Sequence, residues 1–382
     1  MQKIPVAIIG GGLSGLYAAY LLEQQGIDYI LLEARDILGG RILSSQSLAS
    51  TNTDIDTDTN KGTENNKNSF DLGPSWYWPA YQQQLAHLVD ELALKSFAQF
   101  EDGDMMVERS AVQLPIRSPG YKSSPPSMRL VGGMTALIKA LYSRLDSTRI
   151  CTGHIVRSIH HTGDYVEISS EDSLGKTATL QAKQVLLALP PRLAVTNIDF
   201  QPAIPVELAT QWQATATWMA PHAKYFAVYD KPFWREQGLS GEGRSAIGPL
   251  VEIHDASMEN GRGALFGFVG VPAASRQSVS TAVLKDYCRA QLVRLFGSEA
   301  DAPIAEYLKD WAQDPFTATK ADANSDCQHA SAPMVKVNSG VWADYLTGIG
   351  SEWSRQFPGY VAGAVEAAGF GVESLVGNLS KD

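Results

Sequence analysis

The first 34 residues alternate between short apolar runs and a stretch of helical periodicity. Residues 5–10 (PVAIIG) are apolar and β-branched, as a strand buried on both faces requires. Residues 13–26 (LSGLYAAYLLEQQG) place Leu13, Leu16, Tyr17, Tyr20 and Leu21 at helical spacing, and Gly26 stops the helix. Residues 28–34 (DYILLEA) form a second buried strand, which completes a βαβ unit. The pattern then lapses. Residues 44–69 are almost all polar, bury little, and are expected to be a mobile surface loop.

Order returns at residues 70–79 (FDLGPSWYWP). Residues 80–94 predict an amphipathic helix with Leu85, Leu88, Val89 and Leu92 on one face. A turn-rich piece follows, ending at 118–127. Residues 128–145 (MRLVGGMTALIKALYSRL) predict a glycine turn entering a helix. Residues 153–191 predict short strands joined by hairpins, ending in the apolar run Val185–Leu189. Strand patterns dominate 214–275, and 281–297 and 358–379 predict helices, the last rich in Ala and Gly. The chain shows no internal repeat.

Composition narrows the class. At 382 residues the chain exceeds one small core, so two interleaved domains are expected. A hydrophobic fraction of 44% with 19% charged residues is globular. The formal charge of -10 argues against a nucleic-acid partner. Cys151, Cys288 and Cys327 lie far apart, with no disulfide framework, which fits a reducing, cytoplasmic setting. No secretory signal and no apolar run of roughly 20 residues is present, so no membrane partner is expected.

Gly10, Gly12 and Gly15 give G-x-G-x-x-G between the first strand and helix, the context that gives the motif meaning. The first glycine permits the tight turn, the second a close approach of backbone to pyrophosphate, the third close helix–strand packing. The helix N-terminus offers N–H groups and partial positive charge to phosphates. Glu33, 23 positions after Gly10, is placed to bond ribose hydroxyls and disfavours a 2′-phosphate, hence NADP. Gly39, Gly40 and Arg41 supply a second close approach, now with a fixed cation.

This combination resembles the FAD-binding fingerprint of the flavin-dependent amine oxidase family, and the resemblance covers most of the chain. It implies a Rossmann-like FAD domain (1–78, 129–213 and 331–382) interleaved with a smaller α+β substrate domain (79–128 and 214–330) with a mixed sheet and helices. It also implies cofactor contacts from Gly10, Gly12, Leu13, Ser14 and Gly15, and from Glu33, Ala34, Arg35, Gly40 and Arg41. Gly73, Pro74, Ser75 and Trp76 resemble the family's Gly-x-x-Trp stretch beside the isoalloxazine. Residues 129–141 resemble its G-G-M segment, and 185–193 its A-x-P-P strand end. Val156 matches the strand whose backbone meets the adenine. Residues 350–369 resemble its G-x-E…G-Y-x-x-G-A-x-x-x-G signature. That places Glu352 near the ribityl chain and phosphates, and Gly359, Tyr360 and Val361 at the helix start facing the flavin.

Residues 223–234 (AKYFAVYDKPFW) read as a strand with Lys224, Phe226 and Val228 on one face and Ala223, Tyr225, Ala227 and Tyr229 on the other. Taken alone, a lysine heading an apolar face snorkels at the surface. The stretch is similar to the family strand whose lysine reaches flavin N5 through a water, which implies that Lys224 points inward and assists reoxidation by O2. Tyr360 falls on one wall of the family's aromatic cage. The second wall maps to 311–322, where Trp311 and Phe316 are aromatic but the expected slot is small or polar; Trp342 and Tyr345 are the substitutes considered. The position of the covalent tether in some members falls near Thr319–Lys320, without a cysteine, so non-covalent FAD is expected. The segment before the G-G-M turn is short, which leaves a more open site or one roofed by another subunit of a homo-oligomer.

These features imply an enzyme, a flavin-containing amine oxidase. A small amine would give hydride to flavin N5, the imine would hydrolyse, and O2 would be reduced to H2O2. Two alternatives stand beside it: a desaturase or protoporphyrinogen-oxidase relative acting on a bulky apolar substrate, and a flavin-binding protein without turnover.

Overall fold

The computed structural model describes residues 2–46, 69–259, 261–324, 331–336 and 340–379. In chain order the strands and principal helices begin β1 (Gln2–Ile9), α1 (Leu13–Gln24), β2 (Tyr29–Leu32), α2 (Gln83–Glu91), β3 (Ser96–Ala98), β4 (Asp104–Glu108) and β5 (Ile116–Pro119). They continue with β6 (Met128–Leu130), α3 (Thr135–Tyr142), β7 (Ile150–Cys151), β8 (Ile155–His161), β9 (Val166–Glu171), β10 (Thr177–Leu187) and β11 (Asp199–Gln201). The remainder are β12 (Ala223–Tyr229), β13 (Leu239–Ser245), β14 (Leu250–Asp255), β15 (Gly263–Val269), α4 (Thr281–Phe296), β16 (Ala305–Asp310), β17 (Leu346–Gly348) and α5 (Val361–Leu379).

One sheet runs β11-β8-β9-β10-β1-β2-β7, with β17 on β10. Its strands β7, β2, β1, β10 and β17 are mutually parallel, the arrangement of a doubly wound nucleotide fold. Alternation along β1 sends Val6 and Ile8 into a core with α1, α2, α3 and α5, and Ala7 and Ile9 into a second core on the opposite face. Both faces are therefore covered, which explains the unbroken apolar runs.

The other large sheet runs β16-β12-β15-β14-β13-β4-β5 and is antiparallel except for the parallel pair β13 and β4. Strand β12 is internal, and all seven of its residues are buried. Tyr225, Ala227 and Tyr229 pack beneath α4, while Phe226 and Val228 face Leu72, Phe266 and Trp311.

Several elements depart from the sequence pattern. The turn-rich piece contains β4 and β5, and β13 (LSGEGRS) is interrupted by Gly241 at φ +80°. Their local sequences are poor in β-branched residues, and pairing across the sheet supplies what propensity does not. The last helix starts at Val361, because Gly359 at φ +82° breaks the run. The polar stretch 44–69 is anchored at its described ends. Ser44 bridges to Asp71, Ser45 N–H donates to Phe70 C=O at 2.9 Å, and Ser44, Ser45 and Ser69 are buried. Positions 47–68 of the expected mobile loop, and Cys327, lie outside the described residues. Cys151 and Cys288 are free thiols, the latter buried.

Candidate active site

A cavity of about 1240 Å³ runs between the two large sheets. Gly10, Gly12, Leu13 and Ser14 line one end. Gly10 sits at φ +111°, and a Cβ there would lie 2.6 Å from Ala188 C=O. At Gly15 a Cβ would lie 1.9 Å from Gly10 C=O, so this glycine serves helix–strand packing and does not line the cavity. At Gly12 a Cβ would meet nothing nearer than 3.8 Å and would fill the cradle itself. No side chain caps α1, and the Ser14 hydroxyl turns to Ile349 C=O. The N-terminal N–H groups of the helix are thereby left for an anion.

Glu33 closes this end. Its carboxylate accepts from Gly11 N–H at 2.6 Å and Arg35 N–H at 2.8 Å. Burial raises its pKa, and those backbone donors oppose the rise. Arg35 is held by Asp314 (2.6 Å) and Thr317 (3.2 Å), which ties the first sheet's loop to residues beyond β16. Ala34, Arg35 and Val156 also line this end.

Gly40 and Arg41 line the middle of the cavity, Gly40 at φ +59°. Arg41 makes a two-armed pair with Glu352, at 2.5 Å and 2.9 Å, and also donates to Ser351 Oγ at 3.0 Å. Glu352 is 2% exposed and does not line the cavity. Its carboxylate orients the arginine, which does line the cavity.

At the far end Lys224 is 4% exposed. Its Nζ donates to Asp71 C=O (2.8 Å), Gly73 C=O (2.9 Å) and Ser75 Oγ (2.8 Å), and lies 4.0 Å from the centroid of Phe266. Burial pulls its pKa down to about 7; Asp71 pushes it back up and Arg129 adds to the fall. Asp71 is itself raised by burial, with Arg129 and Lys224 opposing. Lys224 does not snorkel. An ammonium has three N–H donors, and the 71–75 stretch takes all three, so none is left to the water expected between Nζ and the flavin. Gly73, Pro74, Ser75 and Trp76 line the cavity beside it.

Gly359, Tyr360 and Val361 line a further wall of the cavity. The Tyr360 ring lies 6.3 Å from Trp218, with a 31° interplanar angle, and 6.4 Å from Trp78, nearly perpendicular. A Cβ on Gly359 would fall 2.4 Å from Trp218 Cβ, so glycine is what lets the tryptophan sit there. Trp342 and Tyr345 are not in this wall. Trp342 donates to Pro202 C=O at 2.9 Å, and the Tyr345 hydroxyl to Gly163 C=O at 2.9 Å, both behind the first sheet. Sequence reasoning missed Trp218, which lies five residues before the stretch similar to the family strand, and gave Trp78 no role. Trp311 does line the cavity, and its indole N–H donates to Leu72 C=O at 3.1 Å. Thr319, Lys320 and Ala321 form a rim where the second cage aromatic was sought; Lys320 and Ala321 are exposed. Among the described residues lining the cavity, Glu33 is the one acid. No described helix is long and apolar enough to cross a membrane.

Comparison with known proteins gives a consistent picture. Residues 103–370 match the family model described as flavin containing amine oxidoreductase, and residues 8–92 one for an NAD(P)-binding Rossmann-like domain. A probable flavin-containing monoamine oxidase A of Dictyostelium discoideum is 23% identical over 485 aligned positions, covering 97% of each chain. Putrescine oxidase of Kocuria rosea is 29% identical over 214 residues, covering 52% of this chain and 42% of the relative. Among solved structures, cyclohexylamine oxidase from Brevibacterium oxydans superimposes with a TM-score of 0.78 at 18% identity, covering 99% of both chains.

Proposed function

The chain belongs to the flavin-containing amine oxidoreductase family, and we propose on that footing that it oxidises a primary or secondary monoamine with an apolar body. FAD is the cofactor. The residues present fit it: an uncapped helix N-terminus, the open cradle at Gly12, an acid at the ribose end and a fixed arginine between. Leu13 and Ser14 would hold the pyrophosphate by backbone N–H, Arg41 would neutralise it, and Glu33 would accept from the ribose.

The observation that carries the substrate reading is the cluster of Trp78, Trp218 and Tyr360 rings lining the same cavity as Lys224. Such rings desolvate an amine and favour its neutral form, whose nitrogen lone pair is free. Trp76 and Phe268 extend the apolar surface. A second ammonium, as in a diamine, would meet no carboxylate at this end among the described residues. FAD, when bound, supplies the hydride-accepting chemistry. The balance is R–CH2–NH2 + O2 + H2O giving R–CHO, NH3 and H2O2. A cation at Lys224 favours negative charge developing on oxygen. Two free thiols are compatible with a cytoplasmic enzyme.

Anaerobic addition of benzylamine, cyclohexylamine or putrescine tests this reading through the flavin absorbance. Bleaching by the first two and not by putrescine is expected. Bleaching by putrescine alone overturns the substrate class, and bleaching by no amine overturns the activity.

A further inference from the structure

The three donors of the Lys224 ammonium all end on one short stretch, and one of their acceptors differs from the other two. Asp71 and Gly73 offer main-chain carbonyls, where the hydrogen-bond chain stops. Ser75 offers a hydroxyl, which accepts from Nζ at 2.8 Å and carries a proton of its own. Ser75 is 6% exposed and lines the cavity, and no hydrogen bond to a described residue uses its O–H. A hydroxyl that accepts from a cation becomes a stronger donor through polarisation. Its position is fixed on both sides. Pro74 precedes it, and Trp76 follows, with its indole N–H on Gln99 Oε1 at 2.8 Å and Gln99 Nε2 on Asp255 C=O at 2.7 Å.

We propose that Ser75 is the positioning residue through which Lys224 acts: Nζ donates to Oγ, and the Ser75 O–H donates into the cavity toward the flavin edge. No proton changes owner; the hydroxyl passes on polarisation. The inference rests on the reading above that FAD fills this cavity. It assigns to Ser75 the direct contact, and to Lys224 the charge behind it.

The test uses holoenzyme carrying Ser75→Ala, Ser75→Thr, Lys224→Met and the Ser75→Ala/Lys224→Met pair. FAD affinity is read by titrating apoprotein, the flavin midpoint potential by dye equilibration, and each half-reaction by stopped flow. Ser75→Ala is expected to slow reoxidation at least ~10-fold and to lower the potential. Ser75→Thr should restore both, FAD affinity of Ser75→Ala should fall by no more than about tenfold, the worth of one hydrogen bond, and the double variant should reoxidise no more slowly than Lys224→Met. A Ser75→Ala enzyme with wild-type potential and reoxidation overturns the relay, as does a double variant that loses the sum of both effects. Failure of the wild-type apoprotein to take up FAD would sink the functional reading and the relay with it. Flavin that binds and bleaches normally while Ser75→Ala is silent sinks the relay alone.

Discussion

Arg41 and Glu352, separated by 311 positions, meet in a two-armed ion pair between the loop after β2 and the segment before α5. Glu352 is buried, whereas the arginine is partly open to the cavity. Glu352→Ala should weaken FAD binding by loosening the arginine and should cost about 1.5–3 kcal/mol of stability, the worth of hydrogen bonds to a charged group. Thermal melts and FAD titration read both effects, and Glu352→Gln should recover part of each.

Glu33→Ala should raise the FAD Kd by about 10- to 150-fold, because it removes charge-assisted ribose hydrogen bonds of about 1.5–3 kcal/mol. The carboxylate also holds Gly11 N–H and Arg35 N–H, so some loosening of the glycine turn is expected. Unchanged FAD affinity would remove Glu33 from the ribose.

Trp218→Ala should raise KM for benzylamine about tenfold, since burial against a large side chain is worth about 1.5–3 kcal/mol. Methylamine, too small to span the wall, should be little affected. Equal losses on both amines would mean that Trp218 only supports Gly359 and Tyr360.

Burial lowers the Lys224 pKa to about 7, so its charge should be lost as pH rises through the neutral range. The reoxidation rate should therefore fall between roughly pH 6 and pH 8, and Lys224→Met should be slow and flat over that range. Folding stability should respond in the opposite sense. Between about pH 7 and pH 10 the unfolded chain holds a proton on this lysine that the folded chain does not, so its contribution rises with pH. Denaturant titration of wild type against Lys224→Met across that window measures the difference.

Flavin should leave the protein on acid precipitation, since no described residue lining the cavity is a cysteine. Yellow colour retained in the pellet would establish a covalent link.

The glycine-turn end of the cavity was legible because it depends on local spacing. Gly10, Gly12 and Glu33 belong to one βαβ unit, where strand ends and a helix start fix their geometry. The aromatic wall was not legible, because Trp78, Trp218 and Tyr360 come from three distant segments, and only the tertiary fold decides which rings meet. Alternation along β12 was read correctly for both faces. The partners of Lys224 were not, because two of them are backbone carbonyls, which leave no mark in side-chain identity. The pairing of Glu352 with Arg41 was not legible for a related reason: the two residues lie 311 positions apart.

The stretch from Asp71 to Ser75 has a mechanical consequence. Leu72 N–H donates to Leu43 C=O on the nucleotide side, while its own C=O receives the Trp311 indole. Lys224 grips the residues on either side, and Arg129 reaches across to Ala256 and Ser257. These bonds join the two sheets along the floor of the cleft, so little hinge motion between them is expected. The radius of gyration in solution should therefore be the same with and without amine.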